Sequence, residues 1–516
     1  MIQDPDINTL DSGPPTPAGE WRRARNDKYK IPNLVGDNND TTMKKFFITS
    51  AIPYVNAKPH LGHALEFVQA DTIARFHRDV LGEETCYLCG SDENALKNVQ
   101  AAEKAGMEVQ AFVDENAKAF EQLAKDLNVQ FDVFQKGTNR EHHFVSSQEL
   151  WKRCVSTGDR YKATYEGLYC VGCEAFYTTD ELNENGECFE HPGKPLEKIS
   201  EENYYFKLSK YHNEIKKLIE EGTIQIIPEI RKNEVISFLS KPLQDISISR
   251  SNERAKNWGV PVPDDDTQRM YVWFDALNIY QSGIGFGWDD EQYKKWWPAD
   301  LHVIGKGIIR FHAIYWIAFL LSAKLALPKS IFVHGYFTVN GQKMSKSLGN
   351  VIDPTELVDK YGTDAVRYYL LREIPSTADG NYSNERMQQL YESDLANELG
   401  NLLSRVTTIA AKDGLELSHD TQGTDDKLSK LLINFRFNEV LEKIWEDVRA
   451  INKDINEKEP WKLSPEERKK SLQDWLNKLN AISISLEPLL PDTAKKVHAA
   501  TTGKIEKIQP LFPRIA

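Results

Sequence analysis

The stretch Phe46-Phe47-Ile48-Thr49-Ser50-Ala51-Ile52-Pro53-Tyr54-Val55-Asn56-Ala57-Lys58-Pro59-His60-Leu61-Gly62-His63 decides how this chain is read. The apolar run at 46–50 has strand character, a turn containing Pro and Asn follows, and helical spacing then continues from 60 to 80, ended by Gly82. A strand that turns directly into a helix is the opening unit of a parallel sheet, and such sheets take ligands in the crevice beyond the carboxyl ends of their strands. His60 and His63 lie three apart on the first helical turn, so both imidazoles share one face. Gly62 between them lets a ligand approach the backbone. The helix N-terminus adds N–H groups and the positive end of a dipole, which suits phosphate. Two histidines at this spacing are, by themselves, more often surface or capping residues. Their place at a strand-to-helix turn shifts the reading toward a phosphate site.

Working outward, a strand at 84–89 and helices near 95–105 and 110–126 continue the alternation, which predicts an α/β, Rossmann-like parallel-sheet domain. The pattern stops near Gly158. Residues 159–225 hold a cysteine cluster and many aromatics, and alternation resumes over 226–333. This reads as one sheet domain in two halves, 43–158 and 226–333, with an insertion between them. A loop-bearing region over 334–385 leads to a C-terminal part, 386–516, without strand signal. There Leu395, Leu399, Leu402, Leu403, Val406 and Ala410 recur at helical spacing, as do Leu441, Ile444, Val448, Ile451 and Ile455, which predicts a helix bundle. Residues 1–42 are rich in Pro, Asp, Asn and Gly without apolar periodicity, the composition of a disordered tail. Met43 offers an alternative start just before the first strand.

A chain of 516 residues at roughly 150 per domain holds about three domains. Apolar residues make up 40% and charged residues 27%, which supplies packed cores and excludes a wholly disordered chain. The most apolar stretch, Ile314 to Leu327, is interrupted by Ser322 and Lys324, too short and too polar for a membrane span. The N-terminus resembles neither a secretory leader nor a transit peptide, so the expected location is cytoplasmic, without a membrane partner. A net charge of -13 argues against a wholly basic nucleic-acid binder and leaves room for a local basic face.

Far along the chain, Gly341-Gln342-Lys343-Met344-Ser345-Lys346-Ser347-Leu348-Gly349-Asn350 places two ammonium groups three apart between glycines. Such a pair is usually solvated surface, but a mobile loop carrying it can close over a polyphosphate and stabilise charge as pyrophosphate departs.

Cys170-Val171-Gly172-Cys173 is followed by Cys188-Phe189-Glu190-His191, two chelating turns within the insertion. Three thiolates and an imidazole, Cys170, Cys173, Cys188 and His191, complete a closed tetrahedral shell, the mark of a structural zinc ion. Cys86 and Cys89 also stand three apart, but in a predicted strand they point to opposite faces and read as buried thiols. On the C-terminal bundle Asn401 and Arg405 are four apart, off the leucine stripe, and Trp461 follows Pro460 at a helix break. Packing and solvation would explain these three residues. An exposed ring, a guanidinium and an amide also suit stacking on, and edge recognition of, unpaired bases.

His60-Leu61-Gly62-His63 followed by Lys343-Met344-Ser345-Lys346-Ser347 resembles the paired signature of class I aminoacyl-tRNA synthetases, in order and separation. Between them, Tyr271-Val272-Trp273-Phe274-Asp275 through Tyr280, and Gly305-Lys306-Gly307-Ile308 through His312, are similar to segments of the methionine branch, and the likeness covers nearly everything after residue 43. The resemblance implies that His60, His63, Lys343 and Lys346 stabilise phosphate charge, with Gly62 at the ATP, which enters with Mg2+. It further implies that Ile52, Tyr54, Trp273, Tyr280, Ile308 and His312 line a pocket for the side chain of L-methionine, with Asp92 at the ammonium group. His312 would donate a weak hydrogen bond to the sulfur. Asn401, Arg405 and Trp461 would read the CAU anticodon of the partner, initiator and elongator methionine tRNA.

The chain departs from the family pattern at Asn94-Ala95, Leu277 and Gly307, and Gly307 cannot supply the side-chain contact that an Asp there would make. The rival reading is an inactive paralogue that only binds tRNA; intact His60, His63, Lys343 and Lys346 argue against it. The insertion is too small for a large editing domain. With no further oligonucleotide-binding domain after the last predicted helix, a monomer is expected.

Overall fold

The computed structural model describes residues 44–170, 175–177, 182–189, 193–344, 350–418 and 425–515. The tail at 1–42, Cys173, Lys346 and His191 lie outside the described residues.

Six parallel strands form the central sheet: β1 (Lys45–Ser50), β2 (Glu84–Ser91), β3 (Val133–Lys136), β4 (Gln225–Ile227), β5 (Leu301–Gly305) and β6 (Ser330–His334), in the order β3-β2-β1-β5-β6-β4. β1 pairs with β2 through Phe47 and Cys86 and with β5 through Ile48 and Leu301. The chain winds outward from β1 to β3 on one side and from β5 to β6 on the other, so the crevice opens between the carboxyl ends of β1 and β5.

Successive side chains on a strand face opposite ways, and both faces of a parallel sheet are covered, which is why apolar residues at neighbouring positions of these strands are buried on both sides. Phe47, Cys86, Leu88, Ile304 and Ile331 belong to one core, and Ile48, Tyr87, Cys89, Val303 and Phe332 to the other. Cys86 and Cys89 are therefore buried on opposite faces, as expected, and burial pushes both thiols up to about 12.

Helix α1 (Leu61–Arg75) follows β1 and is buried along most of its length. The insertion forms an antiparallel sheet in which Arg160–Cys170 pairs with Glu197–Phe206 over ten register positions, from Arg160 opposite Phe206 to Tyr169 opposite Glu197. That sheet also takes in Ile246–Ser247, a strand well past residue 225. After β6, the strands Phe337–Val339 and Gln342–Lys343 lead into the second signature segment.

The C-terminal part is built on α2 (Asn401–Lys412), α3 (Phe437–Lys458), α4 (Pro465–Leu486) and α5 (Pro491–Thr501). Both predicted apolar stripes are buried. One expectation needs correcting: Glu416–Leu417 pairs with Gly503–Lys504, so this part does contain a two-stranded bridge, each strand too short to leave an alternating pattern. Arg367, fully buried, ties the layers together by donating to Asp71 of α1 at 2.8 Å and to the Leu489 carbonyl between α4 and α5 at 2.8 Å. No helix among the described residues is long and apolar enough to cross a membrane.

Candidate active site

His60 is the N-cap of α1, in an extended conformation at φ -133° and ψ 175°. Its Nδ1 accepts the Gly62 N–H at 3.1 Å, while its own N–H donates to His63 Nδ1 at 3.1 Å, a reciprocal capping box built from two histidines. The two rings stack with centroids 3.9 Å apart. Because each Nδ1 is an acceptor, each ring when neutral carries its proton on Nε2. Burial, then the charges of His60 and His334, hold His63 well below the ordinary histidine range, so at neutral pH it is a donor without positive charge.

A Cβ added at Gly62 would come 3.0 Å from His60 Cε1 and 3.8 Å from the Met344 methyl carbon. The fold thus brings the second signature segment directly over the first. Lys343 ends the short strand paired with Phe337–Val339, its backbone opposite Thr338. Lys346 falls outside the described residues.

A second group of predicted residues meets on the other side of the crevice. Trp273, on the short helix Val272–Leu277, stacks on Phe311 at 3.7 Å with planes 3° apart and meets Tyr54 edge-on at 6.1 Å. Ile52 and Ile308 pack against the same core as Tyr280. Asp92, beyond the end of β2, is buried and forms a backbone bridge with Tyr54. Its N–H donates to the Pro53 carbonyl at 2.9 Å.

His312 faces the Ile308 carbonyl through Nδ1 at 3.0 Å and the Tyr280 hydroxyl through Nε2 at 2.7 Å. A carbonyl only accepts, so Nδ1 carries the proton and Nε2 accepts from the tyrosine. Burial lowers His312 to about 4, keeping the ring neutral. The expectation that His312 donates to a sulfur atom is therefore corrected, because its one N–H is already spent on Ile308. The motif placed the residue but not its tautomer.

The sequence reading missed Phe311 and Tyr336. Phe311 adjoins His312 in the quoted segment, but its stacking on Trp273 depends on the π-helical turn Phe311–Trp316, which no local pattern announces. Tyr336 gives Gly307 its reason: a Cβ there would collide with the Tyr336 hydroxyl. Lys306 lies over the Tyr336 ring at 4.4 Å and pairs with Asp379 at 2.8 Å.

In the insertion, Cys170 and Cys188 are both buried, and Cys188 Sγ lies 3.3 Å from the Tyr177 hydroxyl. Among the described residues no group of three or more ligating side chains comes together. In the bundle, a cleft of about 710 Å³ is lined by Asn401 and Arg405 of α2 and by Arg449, Asn452 and Asn456 of α3. Arg405 does not simply project into solvent: its guanidinium donates to the Asn452 and Asn456 amide oxygens, both at 3.0 Å. These partners are neutral, so its charge is oriented but not cancelled. Trp461 is 57% exposed just beyond α3.

The family model "tRNA synthetases class I (M)" matches residues 46–407. The methionine–tRNA ligase of Thermotoga maritima is 43% identical over 474 residues, covering 88% of this chain and 74% of that protein. The enzyme of the same name from Brucella melitensis is 39% identical, covering 90% and 93%. Mycobacterium tuberculosis methionyl-tRNA synthetase in complex with methionyl-adenylate superposes with a TM-score of 0.84 at 37% identity, covering 92% of this chain and all of that one. With both signature segments meeting at the switch point of the sheet and relatives at this identity along most of its length, the chain belongs to the methionyl-tRNA synthetase family of class I tRNA synthetases.

Proposed function

We propose that the protein activates L-methionine with ATP and transfers it to the 3′ end of initiator and elongator methionine tRNA. The observation that carries this reading is the approach of Met344 to Gly62, which sets the lysine-bearing segment over the two stacked histidines. The methionine carboxylate oxygen bonds to the α-phosphorus in line as the bond to the departing pyrophosphate breaks. Positioning and electrostatics carry that step without a protein nucleophile. His63, neutral, donates from Nε2, with His60 beside it, and Lys343 and Lys346 offset the negative charge that builds on the phosphates. Mg2+ enters with ATP and shares that charge.

The Trp273 and Phe311 stack, with Tyr54, Ile52 and Ile308, gives aromatic and apolar surface suited to a thioether. Tyr280 and His312 close its end, and Asp92 meets the ammonium group. Cys170 and Cys188, both buried, fit two of four sites around a structural zinc ion, with Cys173 and His191 as the others. In the C-terminal bundle the oriented Arg405, with Asn401 and exposed Trp461, reads the anticodon. A monomer in the cytoplasm is part of this proposal, and light scattering tests its oligomeric state.

ATP-pyrophosphate exchange with each of the twenty amino acids in turn, without tRNA and on protein of measured zinc content, tests the assignment. Exchange driven by methionine alone is expected. Exchange with another amino acid moves the substrate, and none at all favours the tRNA-binding paralogue.

A further inference from the structure

Asn94 stands two residues after Asp92, beyond the carboxyl end of β2, and its side chain points at the helix that carries Trp273. Its Nδ2 donates to Asp275 Oδ2 at 2.7 Å and to the Gly137 carbonyl at 2.8 Å. Two acceptors for two amide hydrogens fix which end of the side chain is nitrogen. Asp275 has other buried partners besides Asn94. Its Oδ1 pairs with His143, and the His143 Nδ1 lies 2.9 Å from the Ser282 hydroxyl, all of them buried. On the other side, the Trp258 indole N–H donates to the Glu93 carbonyl at 2.8 Å and holds the backbone just before Asn94. Each end of the amide bridge is thus anchored in buried structure.

The bridge is a direct hydrogen-bonded tie between two segments that otherwise meet through packing, Tyr54 beside Asp92 lying edge-on to Trp273. One carries Asp92; the other carries Trp273, two residues before Asp275 on a single short helix. We infer that Asn94 is a positioning residue for methionine, its amide setting the separation between the carboxylate that meets the substrate ammonium and the indole that meets its side chain. The inference rests on the assignment of Asp92 and Trp273 to the methionine pocket. A side chain at 94 without an N–H would leave Asp275 Oδ2 buried and short of a donor, and the helix bearing Trp273 would move to recover one. Methionine must then reach two groups at the wrong spacing, whereas ATP, bound at the histidines of α1, is not affected.

The test is steady-state ATP-pyrophosphate exchange on the full chain with Asn94→Ala, the isosteric Asn94→Asp, and Asn94→His, whose ring N–H returns a donor toward Asp275. KM for methionine rising about tenfold or more in the first two, with KM for ATP within about twofold and recovery in Asn94→His, supports the inference. Unchanged methionine KM overturns it, as does an equal rise for both substrates or failure of Asn94→His to recover. Should Asn94→Ala not fold, the isosteric variant carries the same comparison. Trp273→Ala and Asp92→Asn, measured alongside, separate the two readings. If both leave methionine KM unchanged the pocket assignment fails, and if they raise it while the Asn94 variants do not, only the bridge fails.

Discussion

The Tyr280 hydroxyl donates to His312 Nε2 at 2.7 Å, and this direction is imposed by the Ile308 carbonyl on the other ring nitrogen. Tyr280→Phe would leave a fully buried acceptor without its donor, at a cost of about 1–3 kcal/mol. The expected result is a rise in methionine KM of about tenfold, measured by pyrophosphate exchange. His312→Gln, with an amide that can both accept and donate, should lose less than His312→Ala.

The same neutrality has a signature in stability. His63, His302 and His312 are all held below the ordinary histidine range, first by burial. A free histidine titrates near about 6.5, so between about 4 and 6.5 the unfolded chain takes up protons that the folded one refuses. Stability should therefore rise with pH across that window. The urea midpoint at pH 4.5 is expected below that at pH 6.5, with a smaller difference in His302→Gln. A flat profile would sink the idea.

Gly62→Ala tests the placement of the His60 ring. The new methyl would stand 3.0 Å from His60 Cε1, against a ring held by its own capping bond, so the ring must give. A displaced His60 misses the phosphates, and kcat should fall about 100-fold in rapid-quench measurement of adenylate formation.

Arg367→Met tests the junction between sheet and bundle. Burial raises the Asp71 carboxyl, but Arg75 and Arg367 outweigh it and hold the group below the usual range. Removing one guanidinium leaves the carboxylate with a single ion-pair partner in a dry site, which typically costs about 3–5 kcal/mol. Denaturant unfolding should show the loss. The Asp71 contribution is present above an unfolded pKa of about 3.9 and disappears as pH falls through the lower folded value.

Arg405→Ala removes a guanidinium that Asn452 and Asn456 hold ready. KM for tRNA in aminoacylation should rise about 10- to 100-fold, a loss of about 1.4–2.8 kcal/mol. Asn456→Ala should lose less, since Asn452 still orients the fork.

The sequence by itself determined the first strands of the sheet and the helical bundle, and it nominated the residues of the site. Apolar runs broken by turns specified β1 and β2, because a strand covered on both faces favours apolar residues, and Leu395 through Ile455 specified the bundle because helical spacing makes one dry stripe. The motif around His60 and Gly62 announced its chemistry because a strand-to-helix turn fixes backbone, cap and side chains within a few residues. Tertiary structure alone decided what depends on partners distant in the chain. The tautomer of His312 is set by Tyr280, the empty place at Gly307 by Tyr336, and the direction of Arg405 by α3. The bridge from Asn94 to Asp275 joins the loop after β2 to a helix far along the chain, which no periodicity connects. A hydrogen bond depends on tenths of an ångström between segments whose separation only the packed core sets, so residue types could nominate these groups but not assign what each one holds.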